Sequence, residues 1–427
     1  MNILIVTNHF WPENFPINIL ARGLHDRGHQ VTVLTGIPNY PAGKFYPGYG
    51  LFQRLVDEHQ GIKILHVPLI PRGRGGTLQL FLNYLSSALC ASFLATVWCR
   101  GAIDLILVYE TSPVTVGFPA LVLKRLRNIP IMFWVQDLWP ESLSATGAVS
   151  SGFILGLTGL LVRWIYRGSD LILAQSRAFF PSIEKYGGPG KEIVYFPNSA
   201  EDFYHPVTVE AGAAERTLLP RGFRLMFAGN IGAAQDFETI LSAAELLKDQ
   251  QDLHWVILGD GRRRAWVEEQ VRARELTGTV RLLGRYPAEA MPRFFALADA
   301  LLVTLKKEPI FALTIPSKMQ SYLACGRPIV TALDGEGSRV VAEAGAGLTG
   351  PAGDPQALAK NALAMYRLSN SQRQTMGLRG RAYFERHFKR EMLLDRLEGL
   401  MRQVMSGKNL GPGASAATSP VPVRHRA

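Results

Sequence analysis

The stretch Pro316-Ser317-Lys318-Met319-Gln320-Ser321-Tyr322-Leu323-Ala324-Cys325-Gly326-Arg327-Pro328-Ile329-Val330 carries the reading of this chain. A polar, charged entry passes into a short helical pattern. The pattern stops at small residues and a glycine, and an apolar strand follows. Helix starts gather unpaired backbone N–H groups and favour anions, so a Pro-Ser-Lys entry suits a phosphate. Gly326 fits the left-handed position that closes a helix, and Pro328 forbids its continuation. Helix, tight stop and buried strand in this order are one unit of an open α/β sheet.

Outward from this unit the same alternation continues in both directions. Leu225–Ala228, His254–Leu258, Val280–Leu283, Ala300–Val303 and Ile329–Thr331 are short apolar runs, separated by helical patterns at Asp236–Leu247, Arg264–Glu275 and Pro287–Leu297. An earlier series comprises Ile3–Val6, Val31–Leu34, Ile64–Val67, Leu105–Val108, Ile131–Val135 and Leu171–Ala174, with a helical pattern at Ile17–Gly28. Such runs imply βαβ units and parallel sheets. The 427 residues suit two domains. The division expected is 1–200 for a first Rossmann-like domain, 201–222 for a linker and 223–377 for a second such domain. Helices at 378–405 are expected to cross back to the first domain, and 406–427, rich in Gly, Pro, Ala and Ser, to be a disordered tail.

The net charge is +11, from 46 basic and 35 acidic residues, and no Lys/Arg block forms a nucleic-acid arm. A basic surface, a nucleotide or lipid diphosphate, or an anionic membrane face each fit this balance. Cys90, Cys99 and Cys325 have neither metal-site nor disulfide spacing, which suits a reducing cytosol. The N-terminus reads as a first strand, not a signal peptide.

The opening "NILIVTNHFWPENFPINILARGLHDRGHQVTVLTGIPNYPAGKFY", the segment "FWVQDLWPES" at 133–142, and "FAGNIGAAQDFETILSAAELL", "WVILGDGRRR", "VRLLGRYP" and "FFALADALLVTL" in order resemble glycosyltransferase family 4 over about residues 1–400. Pro38-Asn39-Tyr40-Pro41 and 133–142 look like the branch that includes the WbuB-type proteins, proposed N-acetyl-L-fucosamine transferases. The resemblance implies the GT-B fold, two Rossmann-like domains facing each other across a cleft. It implies a retaining, metal-independent transfer from a UDP-sugar, with no cofactor, to an undecaprenyl-diphosphate-linked saccharide in bacterial surface polysaccharide assembly. The sequence shows no Asp-x-Asp and no clustered His/Asp set for a cation. UDP versus GDP stays open. A GDP-fucose-type or other hexosyl transferase, a sugar-nucleotide epimerase of the same fold and a non-catalytic scaffold are the alternatives.

Transfer requires that diphosphate charge be stabilised as the anomeric C–O bond breaks. The donor-side candidates are Gly229, Asn230, Gly232, Arg264, Arg285, Ser317, Lys318 and Ser321, with Gly335, Glu336 and Gly337 in the loop that resembles the family's sugar-facing turn. Lys318 is also assigned to catalysis. Against the family pattern, Asn230 and Gln235 replace an Arg and a Lys of the glycine loop, and Leu313 and Ser321 replace its two acids. On the acceptor side, Asp137 follows the strand Ile131–Val135, where an acid orients or deprotonates a hydroxyl. Glu141 is a second catalytic candidate, and His9 and Asn18 complete the acceptor-side set.

Between Arg74 and Arg100 lie 25 residues without a charge. That length reaches across a bilayer, but Gln79, Asn83, Ser86 and Ser87 make a polar stripe at one end. The stripe suits a helix lying in the membrane interface or packed on the sheet. The expectation is peripheral attachment to the cytoplasmic face of the inner membrane, with burial in the domain as the second reading and a true span as the third.

Overall fold

The computed structural model describes residues 1–145 and 151–407. The chain divides into two compact units, Met1–Pro197 with the chain from Leu394 onward, and Asn198–Leu393.

The first unit is built on eight strands: β1 (Asn2–Thr7), β2 (Gln30–Gly36), β3 (Val56–His59), β4 (Ile62–Val67), β5 (Leu105–Glu110), β6 (Ile131–Val135), β7 (Leu171–Ala174) and β8 (Ile193–Tyr195). They lie in the order β3-β4-β2-β1-β5-β6-β7-β8, and only the edge strand β3 is antiparallel. The central strands are apolar along their length because helices cover both faces of a parallel sheet; every residue of β5, β6 and β7 is buried. The helices are α1 (Pro16–Asp26), α2 (Thr77–Trp98), α3 (Phe118–Arg127), α4 (Glu141–Ala145), α5 (Gly152–Gly168) and α6 (Phe180–Gly187). Proline opens α1, where a missing N–H costs nothing.

In the second unit, α7 (Ala214–Leu218) precedes β9 (Phe223–Ala228), α8 (Phe237–Leu246), β10 (Leu253–Leu258), α9 (Arg264–Ala273), β11 (Val280–Gly284), α10 (Met291–Leu297) and β12 (Ala300–Thr304). There follow α11 (Pro309–Ala312), α12 (Ser317–Ala324), β13 (Ile329–Ala332), α13 (Glu336–Ala344), β14 (Gly347–Gly350), α14 (Pro355–Arg367), α15 (Asn370–His387) and α16 (Arg390–Met405). The sheet runs β11-β10-β9-β12-β13-β14, all parallel. Its core centres on Phe227, Phe237, Trp255 and Leu302. Gly326 closes α12 with φ +65°, as its position predicts.

Several boundaries differ from the sequence reading. The contact division falls at Pro197/Asn198, and the stretch 201–222 contains the helix α7. The expected terminal segment 378–405 is shared. Helix α15 packs on α12 and α13 in the second unit, through the close approach of Gly377 and Gly380 to Gly326 and Leu323. From Leu394 the chain belongs with the first unit, where Leu394 meets Gly23 of α1 and Arg27 pairs with Asp395 at 2.7 Å. The tail expected at 406–427 lies, from residue 408, outside the described residues.

Candidate active-site residues in the two units

In the second unit, the candidate residues gather at the C-terminal ends of β9, β10 and β13, where open α/β sheets bind ligands. Lys318, in the first turn of α12, is half-buried as a residue, but its Nζ is withdrawn from solvent and has no hydrogen-bond partner among the described residues. The Nζ stands 3.7 Å from the centroid of the Phe227 ring at the end of β9. A Cβ at Gly229 would come 3.1 Å from it. Burial pushes the ammonium down to about 7. A buried amine with no acceptor costs free energy unless an anion completes it. The N-cap of α12 is Pro316, which offers no side-chain acceptor to the first backbone N–H groups. The Met319 N–H is taken by the Pro316 carbonyl at 2.8 Å, so the lysine is the main uncommitted donor of this turn.

The glycine loops hold this arrangement. Gly229 donates to the Leu258 carbonyl at 2.9 Å and Ile231 to that of Asp260 at 2.8 Å, locking the loop after β9 to the loop after β10. Gly259 has φ +144°, and a Cβ there would lie 1.8 Å from the Gly229 carbonyl oxygen. The hydroxyl of Tyr322, one helical turn beyond Lys318, accepts from the Ala228 N–H at 2.9 Å and pins α12 to β9. Gly229 and Asn230 are exposed, while Gly232 is buried.

The remaining second-unit candidates are engaged elsewhere. Arg264 donates to Glu268 at 2.8 Å. Arg285 is exposed after the edge strand β11. Ser321 is buried. Glu336, buried behind the cap Gly335 at the start of α13, accepts from Arg339 Nε at 2.9 Å, so its carboxylate is already paired. Gly337 packs on Leu333 and Pro316, and Ser317 is exposed.

In the first unit, Asp137 sits past the end of β6. Its Oδ2 accepts from Ser112 Oγ at 2.8 Å, and Ser112 Oγ also accepts from Trp139 Nε1 at 3.1 Å. Ser112 holds φ at +123°, a conformation side chains rarely adopt, at a place where its hydroxyl meets an acid. Burial raises Asp137 above the usual carboxylate range. Glu110, which ends β5, is fully buried, and burial, then the Asp137 charge, raise it well above that range. Glu141 is bound by Ser182 Oγ at 2.6 Å.

A second cluster surrounds His9. Its Nδ1 is 2.5 Å from Glu13 Oε2, its ring stacks on Phe15 with centroids 4.6 Å apart, and its Nε2 faces Arg72 at 3.4 Å. Glu13 Oε1 accepts from the N–H groups of both Asn39 and Tyr40 at 2.6 Å. Asn18 donates to the Glu13 carbonyl at 2.8 Å, so it clasps the loop. Sequence reasoning missed Phe227, Tyr322, Ser112, Glu110, Glu13 and Arg72. Only Glu110 left a signal, an acid ending a buried apolar strand.

Two parallel α/β lobes of this build, each with polar groups at the sheet's C-terminal edge, are those of the GT-B fold. Residues 17–199 match the family described as Glycosyl transferase 4-like domain, and residues 222–367 the one described as Glycosyl transferases group 1. The two matches together place a glycosyltransferase domain in each unit. It is 25% identical over 345 residues to WcaI of Escherichia coli K12, named as a colanic acid biosynthesis glycosyl transferase, covering 78% of this chain and 83% of that one. It is 27% identical over 290 residues to the glycosyltransferase WbjE of Pseudomonas aeruginosa, covering 67% and 70%. Among solved structures, sucrose-phosphate synthase of Thermosynechococcus elongatus aligns with a TM-score of 0.71 at 16% identity, over 95% of this chain and 99% of that one. HepE of Anabaena in complex with UDP aligns with a TM-score of 0.70 at 15% identity, over 94% and 100%.

Proposed function

We propose that this protein is a retaining hexosyltransferase that moves a sugar from a UDP-sugar to an undecaprenyl-diphosphate-linked saccharide in bacterial surface polysaccharide assembly, working at the cytoplasmic face of the inner membrane. N-acetyl-L-fucosamine is the candidate sugar, on the resemblance to the WbuB-type branch. One observation carries the reading: the Lys318 ammonium is buried beside the Gly229 loop, in the first turn of α12, with no hydrogen-bond partner among the described residues. A diphosphate completes that site. The UDP held by HepE and the colanic acid biosynthesis in the name of WcaI support the donor class and the process.

As the anomeric C–O bond breaks, charge builds on the diphosphate oxygen. Lys318 Nζ and the first N–H groups of α12 stabilise it without reorganising. Asp137, fixed by Ser112, is assigned the acceptor hydroxyl; its raised proton affinity makes it a better base than an exposed aspartate. No resident metal is required, since the lysine and helix start supply the positive charge.

The test is transfer by purified protein from a panel of UDP- and GDP-sugars to a lipid-linked saccharide, with product configuration read by NMR. Turnover with a UDP-sugar, undiminished in EDTA and lost in Lys318→Ala, is expected. If no sugar nucleotide of either kind binds or is consumed, the reading falls.

A further inference from the structure

We propose that the helical surface formed by α2, α3 and α5 of the first unit docks on an anionic lipid bilayer. The proposal deepens the lipid-linked reading above and rests on it only for the acceptor's class; its own basis is the polarity of the three helices.

Helix α2 faces the wrong way for a protein surrounded by water. Asn83, Ser87, Ala91 and Ala95, four residues apart, form its inward stripe and are buried. Asn83 Nδ2 donates to the Ile70 carbonyl at 2.6 Å, and Ser87 Oγ to Asn8 Oδ1 at 3.3 Å. The opposite stripe, Leu78, Phe81, Leu85, Leu89 and Phe93, is exposed, with Phe93 at 69%. A helix on a water-facing surface turns its apolar stripe inward; here small and polar residues take the sheet and the large apolar ones are left out.

Helix α5 repeats the pattern. Gly159, Val162, Ile165 and Tyr166 are buried, while Phe153, Leu157, Leu160 and Trp164 are exposed, Phe153 at 82%. Helix α3 packs against both α2 and α5 and adds exposed Leu126, so the two stripes belong to one surface. An apolar area of this extent marks an interaction site.

Charge selects the occupant. No Asp or Glu occurs in α2, α3 or α5. Exposed Arg74 and Arg100 bracket α2, exposed Arg125 lies in the last turn of α3, and exposed Arg163 and Arg167 lie on α5. A second copy of this chain, meeting the same face about a two-fold axis, would bring cations against cations. Anionic headgroups over an acyl region match both the cationic rim and the apolar centre. At 22 residues, about 33 Å, α2 is long enough to cross a bilayer. Its inward stripe is hydrogen-bonded to the domain, which lays it along the membrane surface.

The test is co-sedimentation of the full chain with phosphatidylcholine vesicles, with and without phosphatidylglycerol, alongside two double variants, Phe81→Ser with Phe93→Ser on α2 and Phe153→Ser with Trp164→Ser on α5. Circular dichroism checks that each folds, as exposed sites should allow. Expected is binding to the phosphatidylglycerol vesicles, several-fold weaker on phosphatidylcholine alone and at least tenfold weaker in either variant. No binding to anionic vesicles, equal binding to neutral ones, or binding unchanged in both folded variants overturns the proposal. So does a dimer by light scattering that the variants dissolve while vesicles are ignored. Turnover on a detergent-dispersed acceptor separates the two readings. Sugar transfer without vesicle binding removes only the docking surface, and vesicle binding without consumption of any sugar nucleotide removes only the transferase.

Discussion

Lys318 is the residue on which the proposed donor site turns, and its titration makes it testable. Its folded proton affinity is depressed to about 7, below the ordinary lysine value, so between the two the unfolded chain holds more protons than the folded one. Stability of the ligand-free protein therefore rises with pH across that window, and the burial penalty is present in full below it. Lys318→Met is expected to raise the melting temperature at pH 6, with the gain shrinking toward pH 10. A diphosphate binds the charged amine, so UDP affinity should fall above pH 7 by up to about tenfold per pH unit, with proton uptake seen by calorimetry in buffers of different ionisation enthalpy. In Lys318→Met the affinity should drop by roughly 30-fold or more, on the order of the 2–3 kcal/mol of a charged hydrogen bond, and the pH dependence should vanish. Glu110 runs the other way. Burial raises its carboxyl, so the stability it gives is whole below the ordinary glutamate value and is lost as pH rises toward the folded one. Glu110→Gln should melt within about 2 °C of the native protein at pH 5 and become increasingly the more stable above it. A difference between the two proteins that stays constant with pH would show that the fold does not raise the Glu110 carboxyl.

At the scale of elements, the donor side is two glycine turns and a helix start held in contact. Gly259→Ala places a methyl against the Gly229 carbonyl at a positive φ, so something must shift. A loss of about 2–4 kcal/mol in denaturant unfolding is expected, with UDP affinity reduced beyond what the remaining folded fraction explains. Full UDP affinity in a destabilised variant would show that the turns are structural only. The elements themselves were legible because parallel strands, buried on both faces, are continuous apolar runs; β5, β6 and β12 sit where their runs predict. The edge strands β3 and β14 were not, since a strand with one partner and a partly wet face needs no apolar signature. The helix α12 was legible by its stops, Pro316 and Gly326. What the stops did not reveal is that Phe227 and Tyr322 hold α12 to β9 and draw the lysine inward.

For the whole molecule, the last helix decides which unit is complete. Leu394, Leu397, Leu400 and Met401 of α16 are buried, and Glu398 meets His29 Nε2 at 3.1 Å in the first unit. Deleting residues 390–427 removes at least four buried apolar side chains, each worth roughly 1.5–3 kcal/mol. The truncated chain should lose about 10 °C or more in the transition of the first unit, or aggregate, as seen by calorimetry. An unchanged transition would detach α16 from that core. By itself the sequence determined two parallel α/β lobes, the glycosyltransferase resemblance and the Pro-Ser-Lys element, because periodicity, helix stops and ordered motifs are local. Which candidates stand free and which are spoken for, only the tertiary structure decided. Arg264 and Glu336 are taken by Glu268 and Arg339, while Lys318 Nζ faces a ring and has no hydrogen-bond partner among the described residues. The physical reason is that pairing and desolvation depend on what the fold brings within a few ångströms, and charged side chains close in space need not be close along the chain.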